Sequence, residues 1–422
     1  MKRFFLLLFT AVMTAVSFAQ KDVKTADPKS TNTNATGTNP KATGEDPAIK
    51  TNPKLAALTG SSKTVAADPR PAGENFTVIK TVAATPVKNQ SATGTCWSFS
   101  TTSLVESQAM KNNSGEIDLS EMFTVRNIYI EKAKNYVLRQ GHTQFGEGGL
   151  GHDQIRAIAL YGAVPESVYS GLKDKTSHDH QQLIKDLQGY LDNLLKQKPL
   201  PEKWLNGYIS ILDSAMGAPP VQFGSMGQSY TPQSYAKEVL KFNASDYVNI
   251  TSFTHHPYYE PFVLEVPDNF SNGTYYNLPI NEMIQLTKDA LTNGYSVMWD
   301  ADVSNQGFMQ QRGVAVGAYD QVKATGKEEI LSGAAEGKWD ANLRQALFEN
   351  LTTQDDHLMH ITGLGKFPGG KPCFIVKNSW GEVGPHKGYI HVSEPYFAIN
   401  TISLVVPKAA LSKAMLEKLK IK

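Results

Sequence analysis

The sequence predicts an α+β fold, in which helices are grouped before strands. Helical patterns run from Cys96 to about Lys111 and from the N-cap signal at Ser120 to Leu138. Apolar residues recur at helical spacing again between residues 183 and 212. Strand-like apolar runs follow near the end of the chain, as at 372–376. Elements in this order are typical of an α+β domain.

The N-terminus predicts export. A basic start, an apolar run from Phe4 to Val16 and the small-residue site Ser17-Phe18-Ala19 form the three regions of a secretory signal peptide, residues 1–19. We therefore expect a secreted or periplasmic protein. No other apolar run approaches the roughly 18 residues that span a membrane. A net charge of +1 offers no basic excess for binding nucleic acid.

Residues 20–73 predict a disordered segment, because Thr, Asn, Ala, Lys and Pro dominate it and large apolar residues are scarce. Such a stretch buries too little apolar surface to offset the entropy lost on ordering. The alternative interpretation is a tether or surface-attachment segment. We expect the folded domain to occupy residues 74–422.

Cys96 is the candidate nucleophile. It follows a glycine-containing loop and begins the first predicted helix, where unpaired backbone N–H groups and the helix dipole favour a thiolate. Gln90 lies six residues upstream, so its side-chain amide and the Cys96 N–H can together form an oxyanion hole. The alternative is that Cys96 is simply a buried apolar residue, as most free cysteines are.

Two motifs far downstream supply a base and a group to orient it. His357 follows Asp356, and Asn378 begins the run Asn-Ser-Trp-Gly. The order Gln, Cys-Trp-Ser-Phe, Asp-His, Asn-Ser-Trp-Gly resembles the papain superfamily of cysteine peptidases. The resemblance implies a papain-like two-lobed fold, with a mainly helical lobe bearing Cys96 opposite a sheet-rich lobe bearing His357 and Asn378.

The resemblance also implies a role for each matching residue. Gln90 corresponds to the oxyanion donor, Cys96 to the nucleophile, and His357 to the general base and acid. Asn378 corresponds to the residue that orients the imidazole ring. The implied reaction is hydrolysis of a peptide or protein substrate through an acyl-thioester, without a metal or other cofactor.

Three further positions are implied to contact the substrate or protect the catalytic groups. Trp380 corresponds to an indole beside the histidine–asparagine hydrogen bond, which it shields from water. Gly148 and Gly149 correspond to a pair that forms strand-like hydrogen bonds with the substrate, since glycine allows close approach of two backbones. An ordinary loop is the alternative for the glycine pair.

His360 is the alternative base. If residues 356–362 form a strand, positions three apart face opposite sides, so only one of the two rings can serve Cys96. The Asp-His pattern and the distance to Gly363 favour His357. The remaining polar-context histidines are expected at the surface without a metal, namely His178, His180, His255 and His256. Cys373 is expected to pack in the core.

The spacing of the motifs predicts a large insertion. His357 lies 261 residues after Cys96, whereas about 130 to 150 residues separate the two in a small papain-like enzyme. The excess contains an apolar-faced helical hairpin, and we expect the helical insertion at about 171–245. Gly217-Ala218-Pro219-Pro220, His256-Pro257-Tyr258 and the run from Tyr295 to Trp299 resemble the branch containing bleomycin hydrolase and aminopeptidase C.

That branch implies two further properties. Its members carry a C-terminal arm whose terminal carboxylate meets the substrate amino terminus and restricts them to aminopeptidase action, and they form hexameric rings. This sequence reaches Lys422 without a matching arm, so we expect cleavage that is not restricted to the first residue. An oligomer stays an open alternative. Two rival functions are a non-catalytic peptide-binding module and a thiol acyltransferase.

Overall fold

The helices form where capping and apolar spacing predict them. The computed structural model describes residues 76–317 and 336–422, so the signal peptide and disordered segment expected within 1–73 lie outside the described residues. The helices in the described ranges are α1 Cys96–Lys111, α2 Glu121–Leu138, α3 Gly151–Tyr161, α4 Gln181–Leu194, α5 Trp204–Met216, α6 Pro232–Glu238, α7 Ile280–Thr292, α8 Ala341–Glu349, α9 Glu394–Asn400 and α10 Lys413–Lys418.

Helix α1 occupies the centre of the helical half. Thirteen of its 16 residues are buried, although Ser and Thr are poor helix formers. Some of their hydroxyls find partners inside the protein; Ser98 Oγ, for example, lies 3.0 Å from both the Glu121 carbonyl and Gln154 Oε1. Packing on several sides therefore stabilises this helix more than intrinsic propensity does. At the start of α2, the predicted cap Ser120 accepts from the Phe123 N–H at 3.0 Å.

The predicted helical hairpin is confirmed as α4 and α5. Its apolar positions face the helical core, and buried residues recur about once per turn in both helices. These buried residues are Leu183, Ile184, Leu187, Leu191, Leu194, Tyr208, Leu212 and Met216. The extent of the insertion, 171–245, stays a prediction.

The strands in the described ranges build one large sheet and a separate hairpin. They are β1 Thr77–Thr81, β2 Phe223–Ser225, β3 Gln228–Tyr230, β4 Tyr247–Thr251, β5 Pro261–Val263, β6 Thr274–Asn277, β7 Val297–Ala301, β8 Phe308–Met309, β9 Val314–Ala315, β10 His357–Lys366, β11 Pro372–Lys377, β12 Tyr389–Ser393 and β13 Thr401–Pro407. The large sheet has the order β5-β6-β4-β13-β7-β10-β11-β12-β9-β8, and β1 pairs with the second half of β10.

Strand β10 lies at the centre of this sheet, between β7 and β11. Its neighbours run antiparallel to it, which sets His357 opposite Ala301 and His360 opposite Met298 and Lys377. All but two of its ten residues are buried. A side chain on β10 is therefore held by strands on both sides.

Two main apolar cores lie on the two faces of the sheet's middle strands. The first core gathers the helices from α1 to α6 and includes Leu358 from β10. The second gathers the sheet with α7 and α9, and includes Met359 from the same strand. This alternation matches the period of two expected for a strand. The arrangement confirms the predicted papain-like α+β fold.

Two expectations about individual side chains have different outcomes. His180 is 4% exposed and its Nδ1 lies 3.0 Å from the Tyr129 hydroxyl, so its predicted surface position is wrong. Its contact is with α2, which is remote in sequence, so local polarity does not reveal its burial. Cys373 is buried in β11 as predicted, and both cysteines, which lie within the described residues, are free. In the described part of the chain, no helix combines the length and apolarity needed to cross a bilayer.

Candidate active site

Cys96 is the first residue of α1 and is 7% exposed. The backbone N–H of Leu358, in β10, hydrogen-bonds to the Cys96 sulfur. His357 immediately precedes Leu358, so the thiol lies against the start of the strand that carries the predicted base. Helix and sheet thus bring together residues that are 261 positions apart in the chain.

The His357 ring is oriented by Asn378. The imidazole Nε2 lies 2.7 Å from the Asn378 side-chain oxygen, and both residues are buried. Because the amide oxygen of an asparagine can only accept, Nε2 carries the proton in this contact. The lone pair of the neutral ring then lies on Nδ1, which is the nitrogen left to take a proton.

The orientation of the Asn378 amide follows from its other partners. Its nitrogen donates to Gln310 Oε1 at 2.9 Å, and its oxygen also accepts from the Ser379 N–H at 2.7 Å. A flipped amide would lose both contacts, so the oxygen faces His357. Trp380 completes this group, since its indole lies 4.6 Å from the His357 ring between centroids. Trp380 is 7% exposed and covers the histidine–asparagine contact.

Gln90 is held beside this group by Ser379. Its side-chain oxygen accepts from the Ser379 hydroxyl at 2.6 Å, and its backbone N–H donates to the Ser379 carbonyl at 2.8 Å. The Gln90 amide nitrogen donates one hydrogen to the Thr93 carbonyl at 2.7 Å. An amide nitrogen has two hydrogens, so the second is available for an oxyanion.

The predicted glycine pair packs against Trp97, the residue that follows Cys96. The Trp97 indole packs beneath Gly149, where an added Cβ would lie 3.1 Å from the ring, and its Nε1 donates to the Glu147 carbonyl at 2.9 Å. The Gly148 carbonyl accepts from Lys132. Strand-like pairing of these glycines with a substrate stays a prediction.

Burial opposes charge on both predicted catalytic groups. It raises the pKa of the Cys96 thiol, and the nearby carboxylates of Asp355, Asp268 and Asp300 raise it further. Burial also lowers the pKa of His357 to about 4, although the Asn378 contact acts in the opposite direction. The favourable effect of the helix N-terminus on a Cys96 thiolate stays a prediction. A thiolate–imidazolium pair here depends on the attraction between its two charges.

His360 lies on the opposite face of β10 from His357. Its Nδ1 is 2.9 Å from the hydroxyl of Ser103, which lies two turns along α1 from Cys96. That hydroxyl accepts from Lys377 at 2.8 Å, so it donates its own hydrogen to His360. Burial and the Lys377 charge lower the pKa of His360 well below its usual value. His360 is thus a neutral core residue.

One group in the described part of the chain has the composition of a metal site. His255 and His256 direct Nε2 at the Glu265 carboxylate, at 3.3 and 2.7 Å. However, Gln345 donates from its amide nitrogen to His255 Nδ1 at 2.9 Å, and the Thr254 N–H at 2.7 Å holds the Gln345 oxygen in the other direction. His255 therefore carries its proton on Nε2 and has no lone pair there for a metal.

Sequence reasoning missed several residues around the site. Gln310 orients the Asn378 amide, and Glu147 accepts from the Gly94 N–H at 2.7 Å, which supports the loop before Cys96. Asp268, Asp300 and Asp355 act on the thiol through space. Glu147 and the three aspartates are far from Cys96 in sequence, and Gln310 is far from Asn378, so local patterns carry no signal for these contacts.

Comparison with known proteins agrees with this geometry. A model of the Peptidase C1-like family matches residues 146–422, and a model of papain family cysteine proteases matches residues 73–129. Aminopeptidase G of Lactobacillus delbrueckii subsp. lactis is 24% identical over 378 residues, covering 78% of this chain and 82% of the relative. Bleomycin hydrolase of Gallus gallus is 23% identical over 374 residues, covering 76% and 80%.

A solved structure shows the same fold. The crystal structure of PepW from Lactobacillus rhamnosis matches with a TM-score of 0.62 and 21% identity, covering 83% of this chain and 85% of that one. The Peptidase C1-like model covers more than half of the chain, including His357 and Asn378, and the papain family model covers Gln90 and Cys96. The chain therefore belongs to the Peptidase C1-like family of papain-type cysteine peptidases.

Proposed function

We propose that the protein hydrolyses peptide bonds through Cys96, His357 and Asn378. The 2.7 Å contact between His357 Nε2 and Asn378 Oδ1 carries this proposal, because it leaves Nδ1 as the basic nitrogen. The Leu358 N–H bond to the Cys96 sulfur supports it by placing the thiol beside the same strand. The names of the relatives, aminopeptidases G, C and W and bleomycin hydrolase, support a peptide substrate.

The proposed reaction has two steps. His357 Nδ1 takes the thiol proton, and the Cys96 sulfur attacks the carbonyl carbon, whose oxygen becomes an anion near the Gln90 amide. The imidazolium gives its proton to the departing amine as the C–N bond breaks, which leaves a thioester on Cys96. His357 then removes a proton from water, which attacks the thioester and releases a carboxylic acid and the free thiol.

Fluorogenic peptides and an alkylating reagent test this proposal. We expect the purified protein to hydrolyse aminoacyl or peptidyl coumarin substrates, and iodoacetamide to abolish that activity with modification of Cys96. Cys96→Ser should be inactive, whereas Cys373→Ser, which alters the buried core cysteine, should keep activity. Binding of peptides without turnover would favour the peptide-binding module instead.

End preference and export are proposed on sequence grounds. Matched substrates with free and acetylated amino ends measure the end preference, and no turnover of acetylated peptides would refute cleavage beyond the first residue.

We propose that residues 1–19 direct export. N-terminal sequencing of the protein recovered from cell fractions tests this, and an intact Met1 on cytoplasmic protein would exclude it.

A further inference from the structure

Three successive carbonyl groups in the glycine-rich segment before α3 accept hydrogen bonds from buried side chains. The Gly146 carbonyl accepts from Lys132 Nζ at 2.9 Å, and the Gly148 carbonyl accepts from the same nitrogen. The Glu147 carbonyl between them accepts from Trp97 Nε1 at 2.9 Å. The segment is neither helix nor strand, so these side chains supply the donors that regular secondary structure would otherwise provide.

Lys132 is a charged residue in a buried position. It lies on α2, is 5% exposed, and its Nζ is 5.2 Å from the centroid of the Phe270 ring. Lysine is almost never fully buried unless its ammonium is paired, because removing the charge from water is unfavourable. Lys134, two residues further along the same helix, is exposed. The buried position of Lys132 therefore goes together with its two contacts to the glycine-rich segment.

The Lys132 contact fixes the direction of the next N–H group. The Gly148 carbonyl and the Gly149 N–H belong to one peptide unit, which is planar and trans. Because the carbonyl of this unit faces Lys132, its N–H points in the opposite direction. A donor on the carbonyl also polarises the peptide unit and makes its N–H a stronger donor. Lys132 thus both orients and strengthens the Gly149 N–H.

Gly149 leaves both of its backbone polar groups available. It is buried, yet neither its N–H nor its carbonyl has a hydrogen-bond partner among residues 76–317 and 336–422. Buried backbone groups without a partner are rare in folded proteins. An extended peptide backbone offers a carbonyl and an N–H in alternation and can satisfy both groups. Since Gly149 packs on Trp97, such a backbone would lie close to Cys96.

Glu147 connects the same segment to the loop before the nucleophile. Its side chain is buried, and its Oε2 accepts from the Gly94 N–H at 2.7 Å. A displacement of the whole segment would therefore also disturb this loop, and it would change the reactivity of Cys96 toward every reagent. A change in the Gly149 N–H alone would affect only ligands that carry a peptide backbone. This difference separates a positioning role of Lys132 from a general structural one.

We propose that Lys132 is a positioning residue, which holds the Gly148–Gly149 peptide so that the Gly149 N–H donates to a backbone carbonyl of the substrate. The inference rests on the proposed peptidase function and specifies which substrates it takes. They carry a peptide carbonyl upstream of the scissile bond. Small amides and alkylating reagents without such a carbonyl gain nothing from Lys132.

Two reagents that alkylate Cys96 test this inference. Acetyl-dialanyl chloromethyl ketone carries a peptide backbone, whereas iodoacetamide does not. In both reactions the sulfur forms a bond to a CH₂ carbon and a halide ion leaves with the electron pair. We expect Lys132→Met to lower the inactivation rate constant of the peptidyl reagent about tenfold, because one strong hydrogen bond is weakened. The rate constant of iodoacetamide should stay within about twofold.

Further variants of α2 complete the comparison. Lys132→Arg keeps N–H donors and should retain the peptidyl rate within about threefold. Lys132→Gln keeps a shorter amide donor, should lose about threefold, and provides the test if Lys132→Met does not fold. Lys134→Met, at the exposed position, is the matched control and should keep both rates. Equal losses for the two reagents, or no loss for either, overturn the inference.

Hydrolysis gives an independent readout. On a peptidyl coumarin substrate, Lys132→Met should raise KM with little change in kcat, because the backbone contact forms equally in the ground state and the transition state. A Lys132-dependent difference between the two reagents without turnover of any peptide would uphold the inference and refute the peptidase proposal. Normal hydrolysis, with unchanged rates for both reagents in Lys132→Met, would do the reverse.

Discussion

His357 and Asn378 lie 2.7 Å apart, with the ring Nε2 facing the side-chain oxygen of the asparagine. The Asn378 amide cannot rotate without losing its contacts to Gln310 and to the Ser379 N–H. This network sets the tautomer of the histidine as well as its direction. Three predictions concern this site, and a fourth concerns the stability of the fold.

Asn378→Ala should lower kcat/KM by about 10- to 100-fold, because it removes a hydrogen bond that is strongest when the ring is an imidazolium. Steady-state kinetics on a coumarin substrate measures the loss. Asn193→Ala, at an exposed position of α4, serves as the control and should retain wild-type kinetics. Unchanged kinetics in the Asn378 variant would show that the ring needs no orienting partner.

Substitution of the two β10 histidines should have opposite results. His357→Ala should lower kcat/KM by about 10²- to 10⁴-fold, the contribution of general acid–base catalysis. His360→Leu should retain activity within a few-fold, because the ring is a neutral core residue whose Nε2 has no partner among the described residues. Thermal melting of both variants provides the folding control. The reverse pattern of activity would identify His360 as the base.

Gln90→Ala should lower kcat by about 10²- to 10³-fold with a smaller effect on KM, because an oxyanion donor acts mainly in the transition state. Ser379→Ala should cost about fivefold, since it removes one hydrogen bond to the Gln90 side-chain oxygen but leaves the donor in place. Equal losses in the two variants would place the effect on loop folding instead. Circular dichroism of each variant checks that point.

His180 should make the fold sensitive to acid. Burial, with the charges of His178 and Lys175, lowers its pKa to about 3, so the unfolded chain takes up the proton first as pH falls below about 6.5. The stability associated with His180 is therefore present above pH 6.5 and is lost toward pH 3. Relative to His180→Gln, the wild-type free energy of unfolding should fall by about 2 kcal/mol between pH 7 and pH 5.

Urea titrations at the two pH values measure this difference. Each protein acts as its own reference, so other titrating groups cancel in the comparison. His142→Gln, which replaces an exposed loop histidine, is the matched control and should follow the wild type. An identical pH dependence in wild type and His180→Gln would show that His180 is accessible to water.

The sequence alone determined the local elements and the catalytic motifs. Helices α1 and α2 span the residues predicted for them, and Ser120 caps α2 as predicted, because such signals act within a few residues of each other. The apolar run at Cys373 predicted β11 for the same reason. The order of the four motifs was enough to indicate the family, which the comparisons show.

Only the tertiary structure decided what these elements meet. It placed His360 against Ser103 and His180 against Tyr129, and local polarity predicts neither contact. It also brought Asp268, Asp300 and Asp355, from three separate parts of the chain, near enough to Cys96 to raise the pKa of its thiol. Burial and electrostatic interactions depend on distance in space. Residues that are remote in sequence therefore come into contact, and shift one another's pKa values, only once the two apolar cores have packed against β10.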